Sequence, residues 1–264
     1  MLGKIAGAII GFFMGGFWGL LIGLFLGHQV DRRLPGWLLG ALKKSVLQHQ
    51  ERVQKVFFES TFLVMGHLAK ADGRVSEAEI ELARQVMRRM NLSEAATREA
   101  MMLFGRGKAP EFDLDQTLGS LRQIALSHRN LAQMFIEIQL SAAYADGALA
   151  GPERAILVKV CQALGFTEED FNRLDAMIQA ELHGRHAGGR AAGPSLADAY
   201  AILNVDEKAS NAEVKTAYRR LMNQHHPDKL QAKGLPKEMM KLAQEKTQEI
   251  RAAYERIREV RGFK

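Results

Sequence analysis

Three consecutive residues near the C-terminus, His226, Pro227 and Asp228, combine polar chemistry with a restrained backbone. The proline ring fixes φ and removes one backbone N–H, so the chain has few conformations at this point. The histidine ring can donate or accept a hydrogen bond, and the carboxylate accepts one. At the tip of a loop, these residues would present a donor–acceptor pair in a constant arrangement.

Two predicted helices flank this tripeptide and position it. The first opens with a capping box at residues 210–213 and must end before Pro227. Its apolar positions follow helical spacing and share one face: Val214, Ala217, Tyr218 and Leu221. A basic loop is predicted through Pro236, and a longer helix is predicted from about Lys237. That helix has its own apolar stripe: Met240, Ala243, Thr247, Ile250, Tyr254 and Ile257.

Residues 196–264 resemble the J domain of DnaJ-type co-chaperones. Four segments carry the resemblance: Tyr200-Ala201-Ile202-Leu203-Asn204-Val205, Ala217-Tyr218-Arg219-Arg220-Leu221, His226-Pro227-Asp228 and Ile250-Arg251-Ala252-Ala253-Tyr254-Glu255. The stretch departs from the usual pattern in two ways. Thr247 stands where most members have phenylalanine, and the segment between Asp228 and Thr247 is several residues longer than usual.

The resemblance implies that this region binds the ATPase domain of an Hsp70 (DnaK) and favours hydrolysis by the Hsp70's own site. The residues assigned to that contact are His226, Pro227, Asp228, Lys215, Tyr218, Arg219, Arg220 and Lys229. The region has fourteen Lys and Arg against ten Asp and Glu, a net charge of +4, which would steer an acidic partner. No phosphate-binding loop or catalytic triad motif occurs in the chain, so we predict a non-enzyme without cofactors.

A central module at residues 47–182 has helical apolar periodicity and an internal repeat at an offset of 74 residues. Ala71-Asp72-Gly73 in the first copy matches Ala145-Asp146-Gly147 in the second. The duplicated Ala-Asp-Gly pattern resembles the TerB-like (tellurite resistance B) domain. That resemblance implies a compact helical bundle and, in some members, metal binding.

The acidic residues of this repeat are weak candidates for a divalent-cation site: Asp72, Glu79, Asp146 and Glu153. A calcium-binding EF-hand loop needs oxygen ligands at alternate positions, and Arg74 and Val75 break that pattern. Helix termination at glycine and capping of the next helix explain the motif sufficiently, so no metal is predicted. The alternative function is a membrane-bound stress or metal sensor, with the J domain as a recruitment module.

Residues 5–30 contain no charged side chain. Such a helix would be about 39 Å long, against a hydrocarbon core of about 30 Å. The run is too long for a signal peptide and lacks a small-residue cleavage site, so a retained single transmembrane anchor is predicted at residues 1–31. Basic residues follow the span, among them Arg32 and Arg33, whereas only Lys4 precedes it. This asymmetry predicts a short periplasmic N-terminus and cytoplasmic C-terminal domains at the bacterial inner membrane.

Glycine recurs every fourth residue along this segment, from Gly3 to Gly27. Small residues at this spacing let two membrane helices approach closely. A homodimer is therefore predicted, with its seam drawn from Gly7, Gly11, Gly15, Gly19 and Gly23.

The overall prediction is an all-α chain, with a flexible glycine-rich linker at residues 183–195 between the central module and the J domain. The single cysteine excludes a disulfide scaffold or zinc finger, and no nucleic-acid-binding module is recognised. In this order, the three regions resemble the DjlA type of DnaJ-like membrane co-chaperone. In enteric bacteria, that family implies a link to capsule (colanic acid) signalling.

Overall fold

The computed structural model describes residues 8–10, 16, 19–26, 28, 36–71, 84, 86–144, 147–187 and 194–263. These residues are almost entirely helical or turn, and no β-strand occurs among them. The chain divides into two compact units, residues 1–50 and residues 51–264. The all-α prediction is therefore confirmed.

In the first unit, residues 19–26 are helical and include Gly19 and Gly23 of the predicted glycine seam. Gly7, Gly11 and Gly15 lie outside the described residues, as does much of the predicted span. Among the described residues, no helix is both long and apolar enough to span a bilayer.

The central module contains α1 (Gly36–Leu68), which begins in the first unit, and further helices as far as Ala187. Residues 86–89 are also helical. The remaining helices are α2 (Glu94–Gly107), α3 (Leu114–Ser127), α4 (Arg129–Ala143), α5 (Gly151–Ala163) and α6 (Glu168–Ala187).

Helix ends recur at the same 74-residue offset as the sequence repeat. Glu94 begins α2 and Glu168 begins α6. The turn before each helix contains a residue with positive φ, Asn91 at 57° and Gly165 at 81°. The same backbone hydrogen bond closes both turns, from Leu92 N to Met87 O at 3.4 Å and from Phe166 N to Cys161 O at 2.9 Å. The two copies thus share their backbone turns as well as their sequence motif.

The core of the module forms where equivalent helices of the two copies meet. The rings of Phe57 on α1 and Phe135 on α4 pack edge to face, with centroids 5.8 Å apart. The buried Gln139 side chain on α4 donates to the Thr61 carbonyl on α1 at 3.0 Å. This bond gives the Thr61 carbonyl and the Gln139 Nε2 group a partner inside the buried bundle.

Within the first copy, α1 and α2 approach so closely that only glycine fits at the crossing. A Cβ atom placed on Gly66 would lie 2.1 Å from the Phe104 carbonyl oxygen. One placed on Gly107 would lie 2.0 Å from the Leu63 carbonyl oxygen. Both contacts involve backbone atoms, which cannot move aside as the end of a side chain could.

The C-terminal region forms α7 (Leu196–Leu203), α8 (Asn211–His225), α9 (Pro227–Ala232), a 3₁₀ turn (Lys237–Met239) and α10 (Met240–Arg261). The predicted capping box is present, because Ser210 N donates to Glu213 Oε2 at 2.7 Å and Glu213 N donates to Ser210 Oγ. Arg261 in the last turn of α10 donates to the Tyr200 hydroxyl on α7 at 2.7 Å.

The boundary between the two domains differs from the linker prediction. Helix α6 continues to Ala187, so the first five residues of the predicted linker, 183–187, are helical. Gly184 in this extension lies against Pro194, whose Cα would be 3.6 Å from a Cβ at that position. Because a helical glycine is only about 1 kcal/mol worse than alanine, Gly184 alone does not end the helix. Residues 188–193 lie outside the described part of the chain.

Candidate functional site

The His226-Pro227-Asp228 tripeptide joins the end of α8 to the start of α9. His226 lies between the two helices with φ −57° and ψ 122°. Its carbonyl accepts the Leu230 N–H at 3.0 Å. Pro227 occupies the first position of α9, where its missing N–H costs no hydrogen bond. The side chains of His226 and Asp228 are exposed, so both can contact another molecule.

This geometry corrects the prediction that the tripeptide lies in a loop that continues as a basic loop through Pro236. Residues Pro227–Ala232 form a helix, because proline favours a first helical position as readily as it ends a preceding helix. The tripeptide is therefore fixed at the junction of two helices, α8 and α9, and does not lie in an open loop.

The predicted docking residues on α8 have different environments. Arg219 and Arg220 are exposed. Lys215 is half-buried, with its ammonium group 5.4 Å from the centre of the Phe263 ring. Tyr218 is half-buried and stacks on Tyr254, with ring centroids 4.2 Å apart. The tyrosine thus belongs partly to the packing between α8 and α10.

Lys229 is exposed on α9, and its ammonium group contacts the side-chain oxygen of Asn223. This contact links the first turn of α9 to the last turns of α8. The structure therefore brings Lys229 next to the tripeptide at the junction of the two helices.

The segment that follows the tripeptide packs into the central module. Leu230, Leu235, Met239 and Ala243 are completely buried and belong to the same apolar cluster as the core of that module. Gly234 has φ +107°, and a Cβ atom there would lie 2.3 Å from Cγ1 of Val53 on α1. The segment between Asp228 and Thr247 is therefore one part of the J domain that contacts the central module.

Four buried polar side chains meet at this contact, one from each of four helices: Glu137 on α4, Glu181 on α6, His225 on α8 and Lys246 on α10. The Lys246 Nζ atom lies 2.5 Å from Glu181 Oε1 and 3.5 Å from Glu137 Oε2. His225 Nε2 lies 3.6 Å from Glu137 Oε1. We refer to these four residues as the buried charge cluster. It ties the J domain to the second copy of the repeat.

Burial changes the proton affinities within this cluster. Burial raises the pKa of Glu181 to about 8, although Lys246 opposes this shift. Burial also lowers the pKa of His225, against the attraction of Glu137. For Lys246, burial opposes the charged form, but Glu137 and Glu181 outweigh it and raise the pKa. Lys246 is thus the cation on which the cluster depends.

A second ion pair lies at the edge of the same contact. Arg89, in the helical residues 86–89, donates through Nε to Glu245 on α10 at 2.6 Å. The Asn130 side chain on α4 donates to the Gln224 carbonyl on α8 at 3.4 Å. Apolar, ionic and hydrogen-bonding contacts therefore all hold the J domain on the central module.

Of the weak metal candidates, Asp72, Glu79 and Asp146 lie outside the described residues. Glu153 caps its own helix, because its Oε2 accepts the Ala150 N–H at 2.9 Å. In the part of the chain that is described, no group of three or more histidine, cysteine or acidic side chains is arranged to hold a metal ion.

Three family models match separate regions of the chain. Residues 1–46 match the family model described as Co-chaperone DjlA transmembrane domain. Residues 59–176 match Tellurite resistance protein TerB, and residues 198–260 match the DnaJ domain. The fold, the exposed tripeptide and the transmembrane domain together define a membrane-anchored J-domain protein.

Full-length relatives identify the family. The Co-chaperone protein DjlA of Coxiella burnetii is 46% identical, and the alignment covers 99% of this chain and 98% of the relative. The protein of the same name from Shewanella oneidensis is 47% identical, over 99% of this chain and 98% of the relative. The one from Photobacterium profundum is 45% identical, over 100% of both chains. The chain belongs to the DjlA co-chaperone family. No solved structure matches the chain significantly.

Proposed function

We propose that this co-chaperone binds DnaK through its J domain and stimulates hydrolysis of ATP by DnaK. It acts as a regulator without an active site of its own. The observation that carries the proposal is the exposed His226-Pro227-Asp228 tripeptide at the end of α8, beside exposed Arg219 and Arg220. Exposed cations on a rigid helix favour rapid association with an acidic surface, and this attraction weakens as salt increases.

The contact with the central module is compatible with this function. That contact uses Leu230, Leu235, Met239 and Ala243, whereas His226, Asp228, Arg219 and Arg220 stay exposed. A J domain held on the central module therefore still presents these four of the residues assigned to DnaK. The proposed partner need not first displace the central module.

Replacing His226 with glutamine is expected to abolish stimulation of DnaK. Glutamine keeps polar atoms but loses the rigid ring at the junction of α8 and α9, so the donor–acceptor pair no longer has a fixed geometry. The measurement is the single-turnover ATPase rate of DnaK with increasing amounts of full-length protein in nanodiscs. His49→Gln changes an exposed histidine outside the J domain and is the control. Full stimulation by His226→Gln, with unchanged helicity, contradicts the proposal.

We further propose a single-pass protein of the bacterial inner membrane, with a short periplasmic N-terminus and the central module and J domain in the cytoplasm. The excess of basic residues after the apolar segment supports this orientation, and DnaK acts in the same compartment. A link to capsule signalling stays a prediction from the family resemblance.

We also propose a homodimer through the glycine row of the membrane segment. Replacing Gly11, Gly15 and Gly19 with leucine is expected to weaken self-association about tenfold or more, because bulky side chains keep the two backbones apart. Energy transfer between labelled copies in vesicles measures the dimer fraction. Ile9→Leu, Ile10→Leu and Ile22→Leu together are the control, since they leave every glycine in place. An unchanged dimer fraction in the glycine variant rules out this seam.

A further inference from the structure

A cavity of about 170 Å³ lies where the J domain meets the second copy of the central repeat. Most of its wall comes from three helices, with Arg129 and Gln133 on α4, Arg173 and Met177 on α6, and Arg220 and Gln224 on α8. Arg220 is one of the residues assigned to DnaK. The cavity therefore joins the proposed docking face to the central module.

Positive charge exceeds negative charge in this cavity. Three arginines line it, whereas Asp170 is the acidic side chain of the lining, so the formal net charge is +2. Asp170 contacts Arg173 and lies 3.4 Å from Arg129. Its carboxylate also caps α6 by accepting the Thr167 N–H at 3.0 Å. One carboxylate that serves a helix cap cannot neutralise three guanidinium groups.

The three arginines differ in the number of contacts that they make within the protein. Arg129 packs over the Phe166 ring at 4.2 Å and donates to the Gly165 carbonyl at 3.2 Å. Arg173 contacts Asp170, yet 49% of its side chain stays exposed. Arg220 is exposed and has no partner among the described residues. Arg173 and Arg220 therefore have donors available for an incoming anion.

We propose that this cavity receives an acidic side chain or segment of DnaK, so that the central module contributes to the docking surface through Arg173. The inference rests on the proposed function above. Continuity of charge favours this occupant, because Arg220 belongs both to the basic face of α8 and to the cavity wall. A bidentate guanidinium–carboxylate contact in a partly enclosed cavity is stronger and more specific than one on an open surface.

The test compares two charge reversals in the full-length chain in nanodiscs, each titrated against ATP-loaded DnaK. Arg173→Glu is expected to raise the concentration for half-maximal stimulation about tenfold, with the maximal rate unchanged. The half-maximal concentration of this variant should also change less with ionic strength than that of the wild type. Arg122→Glu places the same charge on an exposed position of α3 that does not line the cavity, and it is expected to behave like the wild type. Arg173→Lys should recover most of the affinity.

The outcomes separate this inference from the proposed function. If Arg173→Glu and Arg122→Glu have equal half-maximal concentrations while His226→Gln is inactive, the cavity takes no part in docking and the inference is overturned. If His226→Gln stimulates DnaK fully, the proposed function itself fails. Equal thermal unfolding of the two charge reversals shows that a change in affinity does not come from loss of the fold.

Discussion

Replacing Lys246 with methionine is expected to lower the free energy of unfolding by about 3–5 kcal/mol. The substitution leaves two buried carboxyl groups, those of Glu137 and Glu181, without the cation that both contact. Segment 230–243, which is held against the central module by the same contact, should exchange its amide hydrogens much faster. Chemical denaturation and hydrogen exchange of the full-length protein in detergent measure the two effects.

Two further variants test whether loss of the cation is the cause. Lys241→Met removes the same charge from an exposed position on α10 and should change stability by less than about 0.5 kcal/mol. Adding Glu137→Gln and Glu181→Gln to Lys246→Met should restore much of the lost stability, because neutral amides then replace the buried carboxyl groups that have lost their cation. Equal denaturation midpoints for Lys246→Met and Lys241→Met contradict the assigned role of the buried charge cluster.

Replacing Gly107 with alanine is expected to destabilise the central module by about 3 kcal/mol, the upper end of the usual range for overpacking. The new Cβ atom would meet the Leu63 carbonyl oxygen at 2.0 Å, so α1 and α2 must move apart along their whole contact. Gly66→Ala should behave similarly, since its Cβ meets the Phe104 carbonyl at 2.1 Å. Thermal unfolding followed by circular dichroism measures the loss.

The matched control for this prediction lies two residues away on the same helix. Gly105 is exposed, and a Cβ atom there would have nothing within 4 Å. Gly105→Ala should therefore stabilise α2 by about 0.5–1 kcal/mol, because alanine loses less backbone entropy than glycine on folding. The change in the free energy of unfolding should therefore be negative for Gly107→Ala and positive for Gly105→Ala. Changes of the same sign would contradict the close helix crossing.

The elements of the J domain were predictable from local patterns. Capping at residues 210–213 and the apolar face of α8 depend on spacing within one helix, and the structure has both. Val214, Ala217 and Leu221 are buried as predicted, and Tyr218 is half-buried. The helical fold and the family followed from the same local patterns, because residue types at fixed spacing carry that information.

The contact between the J domain and the central module was not predictable in the same way. Glu137, Glu181 and Lys246 are isolated charged residues in separate helices, and such residues usually face water. Their burial becomes apparent only when the tertiary fold brings the helices together. The spacing of Leu230, Leu235 and Met239 fits neither a helix nor a strand, so the sequence predicted a solvated loop. In the structure all three side chains are buried.

The duplicated module offers the J domain one binding position instead of two. At the 74-residue offset, Glu137 corresponds to Leu63 and Glu181 corresponds to Gly107. In the first copy, Gly107 on α2 packs directly against the Leu63 carbonyl on α1, so no side chain fits between these two helices. In the second copy, the two carboxylates meet a lysine from outside the module. The two copies of the repeat therefore differ at this pair of positions, and the carboxylates that meet Lys246 come from the second copy.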